Sequence, residues 1–202
     1  MPRLFTGIEI PEPLGRGLAL MRGGLSGARW IDPENFHVTL RFMGDIDQGL
    51  AREVYLELWR VRRGPVPITL GELSFFGGDR PRSLIVKVQP NPELMELQAE
   101  QERIMRRIGL APETRKFTPH VTLARLRGTS SVAVADYLSL RGFPPRGAWL
   151  AEQFVVYSSR DSVGGGPYVV EAEYPLGEQE PPRLMITSAR GGRRHRGGSI
   201  RH

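Results

Sequence analysis

The phrase His-Val-Thr-Leu stands twice in this chain, at residues 37–40 and 120–123. The second copy starts at 120 against 37, an offset of 83. Of the four histidines, His37, His120, His195 and His202, two open the same phrase. Around the first copy Phe36, Val38, Leu40 and Phe42 alternate with His37, Thr39 and Arg41. Period two predicts a strand with one apolar and one polar face. His37 and Thr39 then point the same way. In the second copy Val121 and Leu123 alternate with His120 and Thr122, after Pro119. Two such strands lying near one another bring two imidazoles and two hydroxyls to one groove. Core packing has no need of His-x-Thr twice. Strict alternation puts Arg41 on the polar face with His37, and Arg125 on the face away from His120. Both arginines are read as surface or supporting residues.

The offset organises more than four residues. A strand is expected over 3–10, a helix over 11–25, and the first motif strand ends at Gly44. Asp47 caps a second helix, and a strand covers 68–76. A second round follows. It comprises a strand over 83–88, a helix opened by Asn91-Pro92-Glu93, the motif strand over 118–126, and a helix capped by Ser130 or Ser131. Strands over 154–158 and 168–174 complete it. The predicted fold class is α+β and bilobal. Two duplicated β-α-β-α-β lobes, roughly 1–83 and 84–177, carry antiparallel sheets flanking a central groove with approximate two-fold symmetry. Each lobe supplies one His-x-Thr strand.

Residues 178–202 leave the pattern. Glu178-Gln179-Glu180-Pro181-Pro182 interrupts it, and the remainder is rich in Gly and Arg, so a basic, disordered tail is expected. The formal charge of +6 is matched by six arginines between 183 and 202, Arg183, Arg190, Arg193, Arg194, Arg196 and Arg201, with no acid among those residues. The basic balance therefore describes the tail and not the folded part. Such a tail is either an inert extension or a phosphate-binding arm.

The chain has no cysteine, which removes thiol catalysis, disulfides and Cys-bound zinc. No segment reaches membrane-span length. The opening Met1-Pro2-Arg3-Leu4-Phe5 runs into a strand and not a signal peptide. A cytoplasmic monomer is expected. Neither motif histidine stands in a ligand pattern such as His-Glu-x-x-His. Glu34 lies near His37 but has no counterpart near His120, so neither metal nor cofactor is expected.

Two histidines and two hydroxyls suit phosphodiester chemistry. An unperturbed imidazole titrates near 6.5, so at neutral pH one can act as base and the other as acid. In-line attack at phosphorus needs them on opposite sides of the phosphate, which two-fold symmetry across a groove supplies. Thr39 and Thr122 are the candidate phosphate-binding hydroxyls. Residue order alone does not say which histidine takes which role.

Through these residues the chain resembles the 2H phosphoesterases, and more closely the RNA 2′,3′-cyclic phosphodiesterases, also called 2′-5′ RNA ligases. The likeness covers about residues 1–177. It is carried by Arg3-Leu4-Phe5, by Phe36-His37-Val38-Thr39-Leu40-Arg41-Phe42-Met43-Gly44, by Phe117-Thr118-Pro119-His120-Val121-Thr122-Leu123-Ala124-Arg125, and by Tyr168 to Leu176. The resemblance implies hydrolysis of RNA 2′,3′-cyclic phosphate ends to 2′-phosphates. It implies His37 as proton donor to the leaving 3′-oxygen and His120 as proton acceptor from water, with 2′-5′ joining as the reverse reaction. The alternatives are a module that binds RNA ends without turnover, and a cyclic phosphodiesterase acting on small nucleotides. For base stacking, Phe5, Phe76 and Tyr157 are candidates that also read as core.

Overall fold

The structure, a computed structural model, describes residues 3–159 and 166–177. The tail at 178–202 lies outside the described residues. The elements in chain order are β1 (Arg3–Glu9), α1 (Glu12–Ala19), β2 (Ala28–Trp30), a 3-10 turn (Pro33–Asn35), β3 (His37–Asp45), α2 (Gln48–Leu58), β4 (Val66–Phe76), β5 (Ser83–Val88), α3 (Pro92–Arg107), β6 (His120–Leu126), α4 (Ser131–Arg141), β7 (Ala148–Ala151), β8 (Gln153–Ser159) and β9 (Tyr168–Pro175).

Local chemistry explains most boundaries. The Asp47 carboxylate accepts from the Gly49 and Leu50 N–H groups, Asn91 Oδ1 from Leu94 N–H, and Ser130 Oγ from Ala133 N–H. Each satisfies backbone donors that a helix start leaves open. The two helices that follow the motif strands run over 48–58 and 131–141, and so keep the offset of 83 residue for residue. The first helix is shorter than its apolar spacing predicts. It ends at Ala19, and Gly23 and Gly24 beyond it adopt positive φ. Leu25 is nonetheless buried, delivered by irregular chain.

All the strands join one antiparallel sheet of order β7-β4-β5-β6-β3-β1-β8-β9, with β2 added beside β6. The two lobe sheets are thus continuous through a single residue pair, Val38 opposite Val121. Those positions are equivalent under the offset of 83, so the pseudo-two-fold axis passes between them. The flanks of the sheet do not coincide with residues 1–83 and 84–177. On one side of the axis β6 is followed by β5, β4 and β7; on the other β3 is followed by β1, β8 and β9. Strand β4 has crossed to the flank of the second motif, and β8 to that of the first. Each flank is therefore built from both halves of the chain.

A single main core lies on one face of this sheet. It gathers Leu18 of α1, Val54 and Leu58 of α2, Leu94, Leu97 and Met105 of α3, and Val134 and Tyr137 of α4. Val38 and Val121 point into it and are both 0% exposed. The helices therefore cover one face, and alternation sends the neighbours of each valine to the other. Among the described residues no helix is long and apolar enough to cross a membrane.

Candidate active site

His37 and Thr39 flank Val38, and His120 and Thr122 flank Val121. With both valines in the core, all four candidates leave the sheet on the face that the helices do not cover. All four are half-buried. The imidazoles stand close enough for the charge of His120 to depress proton binding at His37.

Each imidazole is oriented by the backbone two residues before it. His37 Nδ1 lies 2.8 Å from the Asn35 carbonyl oxygen, and His120 Nδ1 lies 2.7 Å from that of Thr118. Asn35 and Thr118 are again equivalent under the offset of 83. A carbonyl only accepts, so each Nδ1 carries the proton and donates it. Nε2 is left as the reacting nitrogen in both rings. In His37 it lies 3.0 Å from Thr39 Oγ1 and accepts from that hydroxyl when the ring is neutral.

The two rings have different walls. His37 packs against Phe5 at 4.9 Å, Tyr157 at 5.3 Å and Tyr168 at 5.2 Å between ring centres. Phe5, Val155 and Tyr157, with Tyr168 against them, form a second small apolar cluster apart from the main core. Gly7 lies tightly beneath it: a Cβ there would stand 3.2 Å from the Tyr157 ring and 3.0 Å from the Val38 carbonyl oxygen, so either neighbour would have to yield by a few tenths of an ångström. The buried Asn35 side chain accepts from the Tyr168 N–H at 3.0 Å, which ties the start of β9 to the residue that orients His37. Among the described residues His120 meets one ring, Phe76, edge-on at 4.8 Å. Of the three stacking candidates, Phe5 and Tyr157 are buried as walls of the site and Phe76 is half-buried.

Burial lowers the proton affinity of both imidazoles. That of His37 falls to about 4, chiefly by desolvation; the Asn35 bond opposes the fall, and the charges of His120 and Arg125 add to it. That of His120 is also lowered, by burial first and by Arg125, against the Thr118 bond.

The two arginines exchange the places that strict alternation gives them. In β3 Leu40 and Arg41 are consecutive buried residues and Phe42 is 43% exposed. In β6 Leu123 and Ala124 are consecutive buried residues and Arg125 is exposed. Register shifts between Thr6 and Gly7 in the β1–β3 pair, and between Leu84 and Ile85 in the β5–β6 pair, mark a bulge at the same level of each motif strand. Beyond the bulge the faces swap. Arg41 turns to the helix side, where it pairs with Glu102 and donates to the Phe42 and Ala111 carbonyls. The Thr6 hydroxyl, held by Gln101, accepts the Arg41 N–H at 3.1 Å and secures the bulge. Arg41 is therefore a structural cation with no access to the groove. Arg125 turns to the face of His120 and Thr122, and its charge acts on both imidazoles. Alternation missed Arg125 and Phe42. The signal for the β6 bulge is the pair Leu123-Ala124, two apolar residues in succession within an alternating strand.

Among the described residues no group of three or more His, Asp or Glu side chains is placed to hold a metal ion. What the site holds is two Nε2 atoms, two hydroxyls and a guanidinium on one face, which can bind an anion and move protons on either side of it.

A family model for LigT-like phosphoesterases matches the chain twice, over residues 8–86 and 84–168. An RNA 2′,3′-cyclic phosphodiesterase of Aeropyrum pernix is 39% identical over 104 residues, which are 50% of this chain and 59% of that protein. One of Thermotoga maritima is 30% identical over 133 residues, 62% of this chain and 70% of the relative. The crystal structure of E. coli LigT complexed with 3′-AMP superimposes with a TM-score of 0.71 at 24% identity, covering 88% of this chain and 100% of the other. That last likeness concerns the fold.

Proposed function

Because the chain belongs to the LigT-like phosphoesterase family, we propose that it hydrolyses RNA 2′,3′-cyclic phosphate ends to 2′-phosphate ends, without metal. The supporting observation is the Val38–Val121 pair on the pseudo-dyad, which sets two His-x-Thr units on one face of one sheet. The cyclic phosphate lies between the imidazoles. His120 Nε2 takes a proton from water as the water oxygen bonds to phosphorus. The bond from phosphorus to O3′ breaks, and His37 Nε2 gives its proton to that oxygen. The assignment of donor to His37 and acceptor to His120 follows the family resemblance, since burial lowers the proton affinity of both rings. Thr39, Thr122 and Arg125 hold the non-bridging oxygens as charge grows on them. With a 5′-hydroxyl in place of water as the attacking group, the same proton transfers break the bond from phosphorus to O3′ and form a 2′-5′ bond. A cytoplasmic, monomeric enzyme is part of the same reading.

The pH dependence follows from the depressed imidazoles. kcat/KM reports groups of the free enzyme. One ring must be neutral and the other protonated, so the rate rises as pH passes the lower of the two values and falls as it passes the higher. Both lie below the ordinary value of about 6.5. The optimum of kcat/KM is therefore expected on the acid side of 6.5, whichever ring is the donor. A bound anion favours imidazolium, so the kcat profile is displaced to higher pH. A kcat/KM that stays level from pH 6 to pH 8 contradicts this reading of the rings.

The deciding experiment incubates an oligonucleotide ending in a 2′,3′-cyclic phosphate, with and without EDTA, and reads the phosphate position by phosphorus NMR. A 2′-phosphate formed at equal rates in both is expected. Binding without product would favour an RNA-end-binding module. Loss of activity on chelation would remove the metal-free mechanism.

A further inference from the structure

Asn35 and Thr118 are equivalent under the repeat, and each gives its carbonyl to the imidazole two residues on. Their side chains part company. That of Thr118 is exposed, whereas Asn35 is buried. Asn35 closes the 3-10 turn, and the buried Phe36 that follows anchors it to the core. From there its Oδ1 accepts from the Tyr168 N–H, 133 residues away in the chain, at 3.0 Å. Tyr168 opens β9, opposite Ser159 at the end of β8. Pro167 before it has no N–H to give, so this N–H is the first that the strand can offer. The approach is close: a Cβ at Gly166, whose φ is +103°, would stand 2.5 Å from Asn35 Nδ2.

That bond seats a ring. Tyr168 meets His37 edge-on at 5.2 Å and Phe5 edge-on at 5.1 Å. Asn35 therefore holds His37 twice, directly through its carbonyl on Nδ1 and indirectly through its carboxamide by way of Tyr168. The ring beside His120, Phe76, is held instead by the β4–β5 ladder, opposite Ser83. The other ionisable groups around His37 are His120 and Arg125 of β6, Tyr157 of β8, and Glu9 of β1. Glu9 stands opposite His37 in register and accepts from Gln153 at 3.0 Å. Asp32 and Glu34 beside the turn are exposed, and Asp32 pairs with Arg22. Asn35 carries no charge, so replacing its amide with a methyl group alters the wall and leaves these charges in place.

Resting on the cyclic-phosphodiesterase reading above, we infer that the Asn35 carboxamide is a positioning residue: by holding the start of β9 it seats Tyr168 against His37, which aims Nε2 across the groove and shields the ring from water. The repeat gives the two imidazoles the same tautomer; Asn35 makes their surroundings unequal. Without the amide the Tyr168 N–H loses its acceptor, the ring is free to swing out, and water reaches His37. Desolvation is the chief cause of the lowered proton affinity there, so that affinity rises. His120, lowered by its own burial and by Arg125, keeps its value.

The test follows the histidine Cε1 protons by NMR through a pH titration of the full chain, in the parent, Asn35→Ala, Tyr168→Ala and the double variant. The His37 signal is identified by its loss in His37→Ala, and that of His120 by its loss in His120→Ala. In Asn35→Ala the His37 midpoint is expected to rise from about 4 toward the ordinary value of about 6.5, with the His120 midpoint unmoved. kcat on a 2′,3′-cyclic RNA end falls by about ten- to a hundredfold, the cost of a misplaced reacting group. In the Tyr168→Ala background, where the ring is already gone, Asn35→Ala adds little to either effect. If Asn35→Ala does not fold, Gly166→Ala, whose methyl group displaces the amide, is expected to give the same rise. An unchanged His37 midpoint in a folded variant, an equal rise in both imidazoles, or full additivity with Tyr168→Ala overturns the assignment. A parent without activity on the cyclic end overturns the phosphodiesterase reading instead, and the titration still decides what Asn35 does to His37.

Discussion

His37→Ala and His120→Ala are each expected to lower kcat/KM for a 2′,3′-cyclic RNA end by about 10²–10⁴, the usual worth of one positioned proton transfer. The double variant is expected to lose little more than the worse single one, because the donor and the acceptor serve one displacement and fail together. The fold should survive. Neither ring contributes to the main core, and each is tied to the backbone by one bond to a neighbouring carbonyl. Far-ultraviolet circular dichroism and the urea midpoint check that point, and stopped-time product analysis reads the rate. A His37→Ala enzyme within tenfold of the parent would remove the paired-imidazole mechanism, whatever the relatives do.

Arg125→Met is expected to cost about 10²–10³ in kcat/KM, in the range for removing one preorganised group that meets developing charge. Methionine keeps the aliphatic stem and removes only the cation. The second consequence concerns pH. Arg125 lowers the proton affinity of both imidazoles. Without it both values rise, so both limbs of the kcat/KM profile, and the optimum between them, move to higher pH. A merely structural arginine would change the urea midpoint and leave the profile where it was. Arg125→Lys restores the charge and should return the profile while recovering the rate only in part, since an ammonium cannot grip a phosphate with two parallel bonds. An unshifted profile in Arg125→Met would show that the guanidinium does not face the imidazoles.

Both predictions concern one face of one sheet, and the chain itself discloses only part of that face. The repeat of His-Val-Thr-Leu, its period-two setting and the offset of 83 identify the two histidines and two threonines, because strand alternation and helix capping are local. The caps at Asp47 and Asn91 are legible for the same reason, and the structure chooses Ser130 over Ser131 for the last helix.

Three things required the tertiary structure. The bulges at Leu40-Arg41 and Leu123-Ala124 exchange the faces of Arg41 and Arg125. Their cause is non-local: Thr6 and Gln101 anchor the first, and Glu102 on a distant helix draws Arg41 inward. The crossing of β4 and β8 between flanks depends on which edges remain open after the motif strands pair, which a sequence pattern does not encode. The depressed proton affinity of His37 comes from its enclosure by Phe5, Tyr157 and Tyr168, drawn from β1, β8 and β9. Periodicity along one strand decides which atoms can react; the field and the cation they react beside are set by strands that meet only once the chain has folded.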